Sequence, residues 1–481
     1  MPDYKDTKHS RVFEIFEELS RIPRGSGNRE GIANFCADFA QKNSLRYIVD
    51  GAKNVIIYKD ASRDLGSAKP VILQGHLDMV CQKTPESNID FMKDGIELIR
   101  EGDTLRANGT TLGADNGIAV AMALSILERD DIPHPPIEAV FTADEEIGML
   151  GAVELDTSLL SAKRLINIDS EEDDTVTVSC AGGSDFRAYL PLQRQKICSA
   201  GIEISLRGLK GGHSGVEISS HRVNAATLAG RILNHLAKHA EFDLISVSSG
   251  TKVNVIPCAA HIILACATPQ KLAALARDYI TDIKAEISHR EEDFAAEITL
   301  FEPKECLAID KSNAKELIYA LACTPNGIVE MSAEIEGLVE TSLNLGILTT
   351  DENEASLCFA LRSNKASALA ALEEKMECFF SGLHVTVKTS GHYPPWEFRK
   401  NSELTAMYVE TYRELFGKEP KVEAIHAGLE CAVFSSSIPD VDCIAIGPSI
   451  HDAHTVNERL SISSAEIIYD LVLKLLERLA K

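Results

Sequence analysis

The sequence lacks three features that would place the protein in other classes. No run approaches the roughly 20 consecutive apolar residues of a membrane-spanning helix, and no basic stretch followed by an apolar run begins the chain, so we expect no membrane partner, no signal peptide and a cytoplasmic location. A basic excess is also missing, because 48 Lys and Arg stand against 72 Asp and Glu, a formal net charge of −24. This charge disfavours a nucleic-acid partner, which needs a positive field to hold phosphates.

Cysteines with the spacing of metal sites or disulfide frameworks are missing as well. The 12 cysteines are scattered, and the closest two, Cys258 and Cys266, lie eight residues apart, so no C-x-x-C motif occurs. This spacing argues against a thiolate zinc site and against a disulfide framework. We expect most of the cysteines to be small buried hydrophobic residues.

The length of 481 residues suggests two or three domains. Residues 1–184 alternate strand and helix patterns, which indicates an α/β sheet. The predicted helices of this part span 10–22, 29–42 and 116–129, and the predicted strands span 54–58, 70–74, 137–143 and 165–168. Residues 391–481 return to this pattern but are too few for an independent α/β domain. They should therefore complete the first sheet, with residues 185–390 inserted as a second domain.

The inserted residues 185–390 contain two similar passages, each with strands around two helices. The predicted helices span 224–238 and 269–287 in the first passage, and 314–323 and 365–380 in the second, with strands around residues 202–206, 253, 262, 295–300, 342 and 357. We interpret the passages as a duplicated module packed on one antiparallel sheet. The inserted domain is thus predicted to be α+β, built of two similar modules.

Polar residues follow the predicted strands at positions suited to binding a cation. His76 and Asp78 come after the strand at 70–74 and, two residues apart, would face the same side. Asp78 could then accept a hydrogen bond from the ring nitrogen of His76 that does not face a metal. Asp115 is followed by Asn116-Gly117, and glycines let the backbone approach a ligand closely. Taken singly, His76 and Asp78 fit an ordinary surface His–Asp pair better than a metal site, and Asp115 fits a helix N-cap better.

Further candidates follow the next two predicted strands and the distal turn. Glu145 and Glu146 are adjacent, so they point in different directions, and one could bind a cation while the other takes a proton; a solvated acidic turn is the alternative. Asp169 follows the strand at 165–168. Far downstream, spacing alone leaves both His451 and His454 as candidate ligands. Because open α/β sheets bind ligands at the carboxyl ends of their strands, one imidazole and several carboxylates could meet there around two divalent cations.

In this order, the motifs resemble those of the co-catalytic zinc metallopeptidases of the aminoacylase, carnosinase and carboxypeptidase G type, which run H-x-D, D, E-E, D or E, and a distal H. The resemblance covers essentially the whole chain. Four phrases are specifically similar to the bacterial aminoacyl-histidine dipeptidases, also called peptidase D or Xaa-His dipeptidases: LQGHLDMV (73–80), TLGADNG (111–117), LKGGHSG (209–215) and HAGLE (426–430). One departure is Val456, since the family usually has Pro two residues after the distal His.

The resemblance implies a zinc-exopeptidase-like catalytic domain with a mixed sheet, formed by 1–184 and 391–481, and a lid domain at 185–390. It implies a metallodipeptidase that hydrolyses unblocked dipeptides, especially Xaa-His dipeptides such as carnosine, with a metal-bridging water as the nucleophile. The implied metal ligands are His76, Asp115, Glu146, Asp169 and His454, with Asp115 shared by two ions. Asp78 would orient His76, and Glu145 would be the general base. A cis peptide bond is expected after Asp115.

Three residues of the inserted domain are implied to contact the substrate. His213 is the candidate for stabilising the oxyanion, and Asn254 matches the substrate-contact Asn of the family. Arg362, at the end of a predicted strand, could bind the C-terminal carboxylate of a dipeptide bidentately. Closure of the two domains would then assemble the site.

Other functions also fit the sequence. An N-acyl-amino-acid deacylase or a tripeptidase would use the same scaffold and the same ligands. A non-catalytic binding protein is disfavoured, because decay of an enzyme usually removes some of these residues. The imidazole and carboxylate donors suit two Zn²⁺ ions per subunit, although Mn²⁺ or Co²⁺ could serve. Both a monomer and a homodimer are compatible with the sequence.

Overall fold

A computed structural model describes residues 2–62 and 67–481. The chain divides into two compact units. Unit 1 comprises Met1–Cys180, Phe398–Ala424 and Leu429–Lys481, and unit 2 comprises Ala181–Glu397 and Ile425–Gly428. The boundaries proposed for independently folding domains, 184/185 and 390/391, stay predictions.

The N-terminal part of unit 1 alternates helices and strands, as the sequence predicts. In chain order its elements are α1 (Ser10–Ser20), α2 (Glu30–Lys42), β1 (Arg46–Val49), β2 (Val55–Lys59), β3 (Val71–His76), β4 (Leu98–Glu101), β5 (Thr104–Ala107), α3 (Ala114–Leu127), β6 (Ile137–Thr142), α4 (Leu150–Glu154), β7 (Arg164–Asn167) and β8 (Thr175–Cys180). Apolar residues at helical spacing bury one face of α1 against the core. All residues of β3 and β6 are buried, as in strands covered on both faces.

Unit 2 follows with longer strands and four helices. Its elements are β9 (Gly182–Pro191), β10 (Arg194–Arg207), β11 (Gly212–His213), α5 (Ala225–His239), β12 (Asp243–Ser249), β13 (Val255–Ile256), β14 (Ala260–Ala265), α6 (Pro269–Ile287), β15 (Ala295–Ile309), α7 (Lys311–Cys323), β16 (Gly327–Met331), β17 (Val339–Thr350), β18 (Glu354–Ser363), α8 (Ala366–Ser381) and β19 (Thr386–Tyr393). Strand β12 was not predicted, and the strand predicted around residue 253 is only the two-residue β13.

The C-terminal part of the chain returns to unit 1. Its elements are α9 (Glu403–Phe416), β20 (Lys421–Ile425), α10 (Glu430–Ser437), β21 (Asp442–Ala445), β22 (Ile450–His451), β23 (Arg459–Ser461) and α11 (Ile462–Leu479). Strand β21 pairs in parallel with β7, so this segment completes the first sheet, as predicted.

The main sheet of unit 1 is mixed, with the order β1-β2-β6-β3-β7-β21-β8-β20. The four central strands β6, β3, β7 and β21 run parallel to one another. The flanking pairs β1–β2, β2–β6 and β21–β8 are antiparallel. The carboxyl ends of β3, β6 and β7 therefore lie at one edge of the sheet. A second sheet, β22-β23-β5-β4, was not predicted; it holds the hairpin that contains His454.

Unit 2 is built on one antiparallel sheet, as predicted, with the order β15-β10-β14-β12-β17-β18-β9-β19 and with β16 paired to β17. Apolar residues of α5, α6, α7 and α8 share a buried core with the strands. The mixed sheet of unit 1 and the α+β structure of unit 2 confirm the predicted fold class. Within the described residues, the helices are all too short or too polar to cross a bilayer.

Candidate metal centre

The polar residues predicted in unit 1 meet at the edge where the parallel strands end. His76 is the last residue of β3 and lies opposite Thr142, the last residue of β6. Asp169 follows β7, and Asp115 lies at the start of α3. The register of the parallel strands thus places residues far apart in sequence side by side.

The first group is formed by His76, Asp115 and Asp169. The Nε2 atom of His76 lies 3.1 Å from Oδ1 of Asp115 and 3.6 Å from Oδ1 of Asp169. The side chain of His76 is only 1% exposed and that of Asp169 is 8% exposed. Burial raises the pKa of Asp169 well above its ordinary value, although the nearby His76 opposes the shift. One imidazole nitrogen therefore faces two carboxylates in a buried site.

The second group is formed by His454, Glu146 and the other oxygen of Asp115. The Nε2 atom of His454 lies 3.0 Å from Oδ2 of Asp115 and 3.1 Å from Oε1 of Glu146. These two contacts raise the pKa of His454 to about 11. His451 lies on β22 with its side chain exposed, so the structure brings His454, and not His451, to the other candidates.

The carboxylate of Asp115 is the link between the two groups, because each of its oxygens faces a different imidazole. Burial opposes its ionisation, but the hydrogen bonds from His454 and His76 lower its pKa below the ordinary range. Donor atoms of His76, Asp115 and Glu146 lie within 4.8 Å of one another. The residues fit divalent cations, because imidazole nitrogens and carboxylate oxygens are suitable donors and they face one another at 3.0 to 3.6 Å.

Asp78 contacts both the ring of His76 and the backbone of Glu145, the first residue of the Glu145–Glu146 pair. Its Oδ1 lies 3.4 Å from Nδ1 of His76 and accepts a hydrogen bond of 2.9 Å from the backbone N–H of Glu145. Its Oδ2 accepts one of 2.7 Å from the hydroxyl of Ser26, a residue that the sequence analysis did not single out. Burial opposes ionisation of Asp78, but the bonds from His76 and Ser26 lower its pKa. Asp78 is therefore an anionic support behind His76.

The side chains of Asp144, Glu145 and Glu146 point in three different directions. Asp144, with a positive φ of 54°, turns away to form an ion pair with Arg29. Glu146 faces His454, as described above. The Glu145 carboxylate forms no hydrogen bond or ion pair within the part of the chain that the structure describes, and burial raises its pKa to about 8. A carboxyl with a raised pKa is suited to accept and return a proton.

Asn116 is a positioning residue that sequence reasoning missed. Its Oδ1 accepts a hydrogen bond of 3.1 Å from the backbone N–H of His76, and its Nδ2 donates one of 2.7 Å to the carbonyl of Ile168. A Cβ at Gly75 would lie 2.4 Å from Oδ1 of Asn116, so glycine is needed there. The peptide bond between Asp115 and Asn116 is cis, as expected.

In unit 2, the loop of His213 is tied to the segment of Asn254. His213 pairs with Val255 in the β11–β13 ladder, and the backbone N–H of Ser214 donates to the carbonyl of Asn254 at 2.9 Å. The Nδ1 atom of His213 accepts two hydrogen bonds of 3.2 Å, from the backbone N–H groups of Gly215 and Val216. Because Nδ1 is an acceptor, the ring proton is on Nε2, and His213 can act as a donor through that atom. The side chain of Asn254 is exposed.

Arg362 lies beside the same loop. A Cβ at Gly215 would be 3.0 Å from Cε1 of His213 and 3.2 Å from Nε of Arg362, so both side chains pack against this glycine. Arg362 is 8% exposed and donates to the hydroxyl of Tyr393 at 2.8 Å. Its Nε has no hydrogen-bond partner within the described residues. The structure thus brings His213 and the buried guanidinium of Arg362 together at Gly215, whereas Asn254 is joined to this loop only through its backbone carbonyl.

The phrase HAGLE is divided between the two units. In unit 2, His426 lies between the hydroxyl of Ser342 (2.7 Å) and Oδ1 of Asn364 (3.0 Å), and burial together with the charge of Arg362 lowers its pKa to about 3. In unit 1, the buried Glu430 accepts a hydrogen bond of 2.7 Å from Thr142. Burial raises the pKa of Glu430 to about 7.

The chain is similar to known proteins over nearly its whole length. The sequence pattern of Peptidase family M20/M25/M40 matches residues 72–478. The chain is 36% identical over 473 residues to the cytosol non-specific dipeptidase of Escherichia coli (strain K12), covering 97% of each chain. The crystal structure of an aminoacylhistidine dipeptidase from Vibrio alginolyticus superposes with a TM-score of 0.89 at 33% identity, covering 99% of this chain and 98% of that one. Human carnosine dipeptidase 1 shares the fold, with a TM-score of 0.51 at 15% identity, covering 99% of this chain and 98% of that one.

Proposed function

The chain belongs to Peptidase family M20/M25/M40, and from this premise we propose that it is a metal-dependent dipeptidase whose preferred substrates are unblocked Xaa-His dipeptides such as carnosine. The observation that carries the proposal is Asp115, whose two oxygens face two different imidazoles. The names of the relatives from E. coli and V. alginolyticus support dipeptides as the substrate class. The name of the E. coli relative also supports action in the cytoplasm.

Two divalent cations, most favourably Zn²⁺, would be held by the two groups of side chains. His76 and Asp169 would complete one set of ligands, Glu146 and His454 would complete the other, and Asp115 would belong to both. When bound, the cations supply Lewis-acid polarisation of the substrate carbonyl and lower the pKa of water. Mn²⁺ or Co²⁺ would also suit these donors.

The residues of the chain supply the proton transfers and the orientation. Glu145 would take a proton from the attacking water and deliver it to the leaving amine. His213 would donate from Nε2 to the oxyanion, because its Nδ1 is already occupied as an acceptor. Arg362 would bind the C-terminal carboxylate, and its unpartnered Nε leaves a donor for that contact. Asn254 would contact the substrate backbone.

A substrate panel after chelation and metal restoration tests the function. The protein stripped of metal should be inactive, and Zn²⁺, Mn²⁺ or Co²⁺ should restore cleavage of β-Ala-His and other unblocked dipeptides. The panel includes N-acetyl-amino acids and tripeptides, which report a deacylase or a tripeptidase on the same scaffold. Rapid cleavage of acetyl-amino acids without cleavage of dipeptides would refute the dipeptidase proposal.

His213→Ala is expected to bind both cations as the unchanged protein does but to lose about 100-fold or more in kcat, because a donor to the oxyanion is removed. Metal content per chain and turnover of β-Ala-His are measured together. The control is His289→Ala, since His289 is an exposed residue of unit 2. Nearly full turnover of His213→Ala with both cations bound would show that His213 has no such role.

A further inference from the structure

Glu458 is a buried carboxylate that binds the loop in front of Asp115. It is only 2% exposed. Its Oε2 accepts hydrogen bonds from the backbone N–H groups of Leu112 and Gly113 at 2.8 and 3.0 Å. Its Oε1 accepts from those of Ala114 and Asp115 at 2.8 and 3.4 Å. Four consecutive backbone N–H groups therefore donate hydrogen bonds to one side chain.

These donors need an acceptor because they lie at or just before the start of α3: Leu112 and Gly113 precede the helix, and Ala114 and Asp115 begin it. The first N–H groups of a helix have no partner within the helix, and a buried N–H without a partner is costly. A carboxylate at this end also matches the positive end of the helix dipole. Glu458 comes from the hairpin segment that contains His454, so its hydrogen bonds tie that hairpin to the loop of Asp115.

Arg24 binds the same loop by donating hydrogen bonds to backbone carbonyl groups. It is 2% exposed, and its Nη1 donates to the carbonyls of Leu77 and Asp78 at 3.1 and 3.2 Å. Its Nη2 donates to the carbonyl of Gly113. The guanidinium thus links the chain that follows His76 to the loop that precedes Asp115.

Two glycines of this loop make room for the guanidinium. A Cβ at Gly113 or at Gly117 would lie 2.5 Å from Nη2 of Arg24. Gly113 also has a positive φ of 69°, a conformation that side chains rarely adopt. The absence of a side chain at these two positions therefore lets the backbone approach Arg24 closely.

We infer that Arg24 and Glu458 are positioning residues that set the separation of His76, Asp115 and His454, and thereby the cation affinity of the site. The inference rests on the proposed function, because it takes these three residues to be ligands. The three come from separate segments, and a metal site needs its ligands held to within about 0.5 Å. The oxygens of Glu458 and the Nη atoms of Arg24 are bound to backbone groups of those segments, which leaves the side chains to position rather than to ligate.

The test compares Glu458→Gln with Glu138→Gln. Glutamine has the size of glutamate but would point an N–H₂ group at two backbone donors. Glu138 is a matched control, because it is also a buried carboxylate, 5% exposed, that binds backbone N–H groups. Its Oε1 accepts a hydrogen bond of 2.9 Å from Ser161, and its Oε2 accepts one of 3.1 Å from Ala162. It lies near the start of β6, and the candidate ligands lie beyond the end of that strand.

Zn²⁺ affinity is measured by competition with a chelating indicator, and thermal unfolding is measured on the metal-free proteins. We expect both variants to unfold at lower temperature, and only Glu458→Gln to lose affinity, by about 10- to 100-fold. Arg24→Lys, which keeps the charge but not the planar fork, should also lose affinity. Glu458→Asp, which keeps the charge on a shorter side chain, should fall between Glu458→Gln and the unchanged protein.

Equal Zn²⁺ affinity in Glu458→Gln and Glu138→Gln would overturn the inference. If Glu458→Gln does not fold, Glu458→Asp takes its place in the same comparison. Failure of both to fold would assign Glu458 to folding alone and would also overturn it. An unchanged protein that binds no Zn²⁺ would instead refute the proposed function, so the two failures are distinguishable.

Discussion

Glu145→Gln is expected to lower the turnover of β-Ala-His by about 100- to 10,000-fold, the usual contribution of a general acid–base residue. Glutamine keeps the size of the side chain but cannot accept and return a proton. The Glu145 carboxylate is suited to that task because burial raises its pKa to about 8 and because no described side chain occupies it. Its backbone N–H is held by Asp78 at 2.9 Å, which fixes the point from which the side chain extends.

The loss should appear in kcat and leave cation binding nearly unchanged. Turnover and metal content are therefore measured on the same samples. Glu154→Gln is the control, since Glu154 is an exposed carboxylate of the neighbouring α4. A Glu145→Gln protein that keeps turnover within a few-fold of the unchanged protein, with both cations bound, would remove Glu145 as the base. A variant that loses its metal would instead make Glu145 a ligand.

Asp115→Asn is expected to abolish the binding of both cations, and with it all measurable hydrolysis. The amide keeps the shape of the carboxylate but removes its charge and replaces one acceptor oxygen with a donor. Both imidazoles, His76 and His454, would lose their shared partner, which lies at 3.1 and 3.0 Å. Substitution of a residue that binds only one of the two cations should leave more metal bound than substitution of Asp115, which would bind both.

Metal content per chain, measured after dialysis against Zn²⁺, decides the result. His454→Ala serves for comparison and should keep the cation held by His76 and Asp169. Asp130→Asn is the neutral control, because the Asp130 side chain is 99% exposed. If Asp115→Asn retains two cations per chain, Asp115 does not bridge them and the proposed centre is wrong.

Much of the fold follows from local patterns that the sequence displays directly. Fully apolar runs such as 71–73 and 139–141 indicate strands covered on both faces, and helical spacing in α1 and α11 marks their buried sides. Polar residues directly after such strands, His76 and Asp169 among them, stand out against the apolar run. These signals are local, so they need no knowledge of which strands pair.

Two strands of unit 2 show where local patterns fail. The seven-residue β12 was missed, and the strand predicted near residue 253 is the two-residue β13, whose partner within the described residues is β11. A piece as short as β13 is stabilised by its partner strand rather than by its own propensity. The small sheet of β4, β5, β22 and β23 was missed for the same reason.

The hydrogen-bonding roles of the supporting residues of the candidate centre are not indicated by any local pattern. Arg24, Asn116 and Glu458 are buried polar residues whose hydrogen-bond partners are backbone groups. For Glu458, those partners lie more than 340 residues earlier in the chain. A buried charge of this kind looks in the sequence like an ordinary surface residue, because only the folded chain shows that it has no access to water.

The sequence by itself determined the alternation of strands and helices, the order of the motifs and the residue types gathered at the strand ends. These depend on periodicity and on neighbours within a few residues. Spacing alone left His451 and His454 open, and the resemblance to a known family selected His454, which the structure places beside Asp115. Only the tertiary structure decided that the two oxygens of Asp115 face different imidazoles and that Asp144 turns away to Arg29. Those choices depend on distances of about 3 Å between distant segments, which are set by strand register and by buried hydrogen bonds.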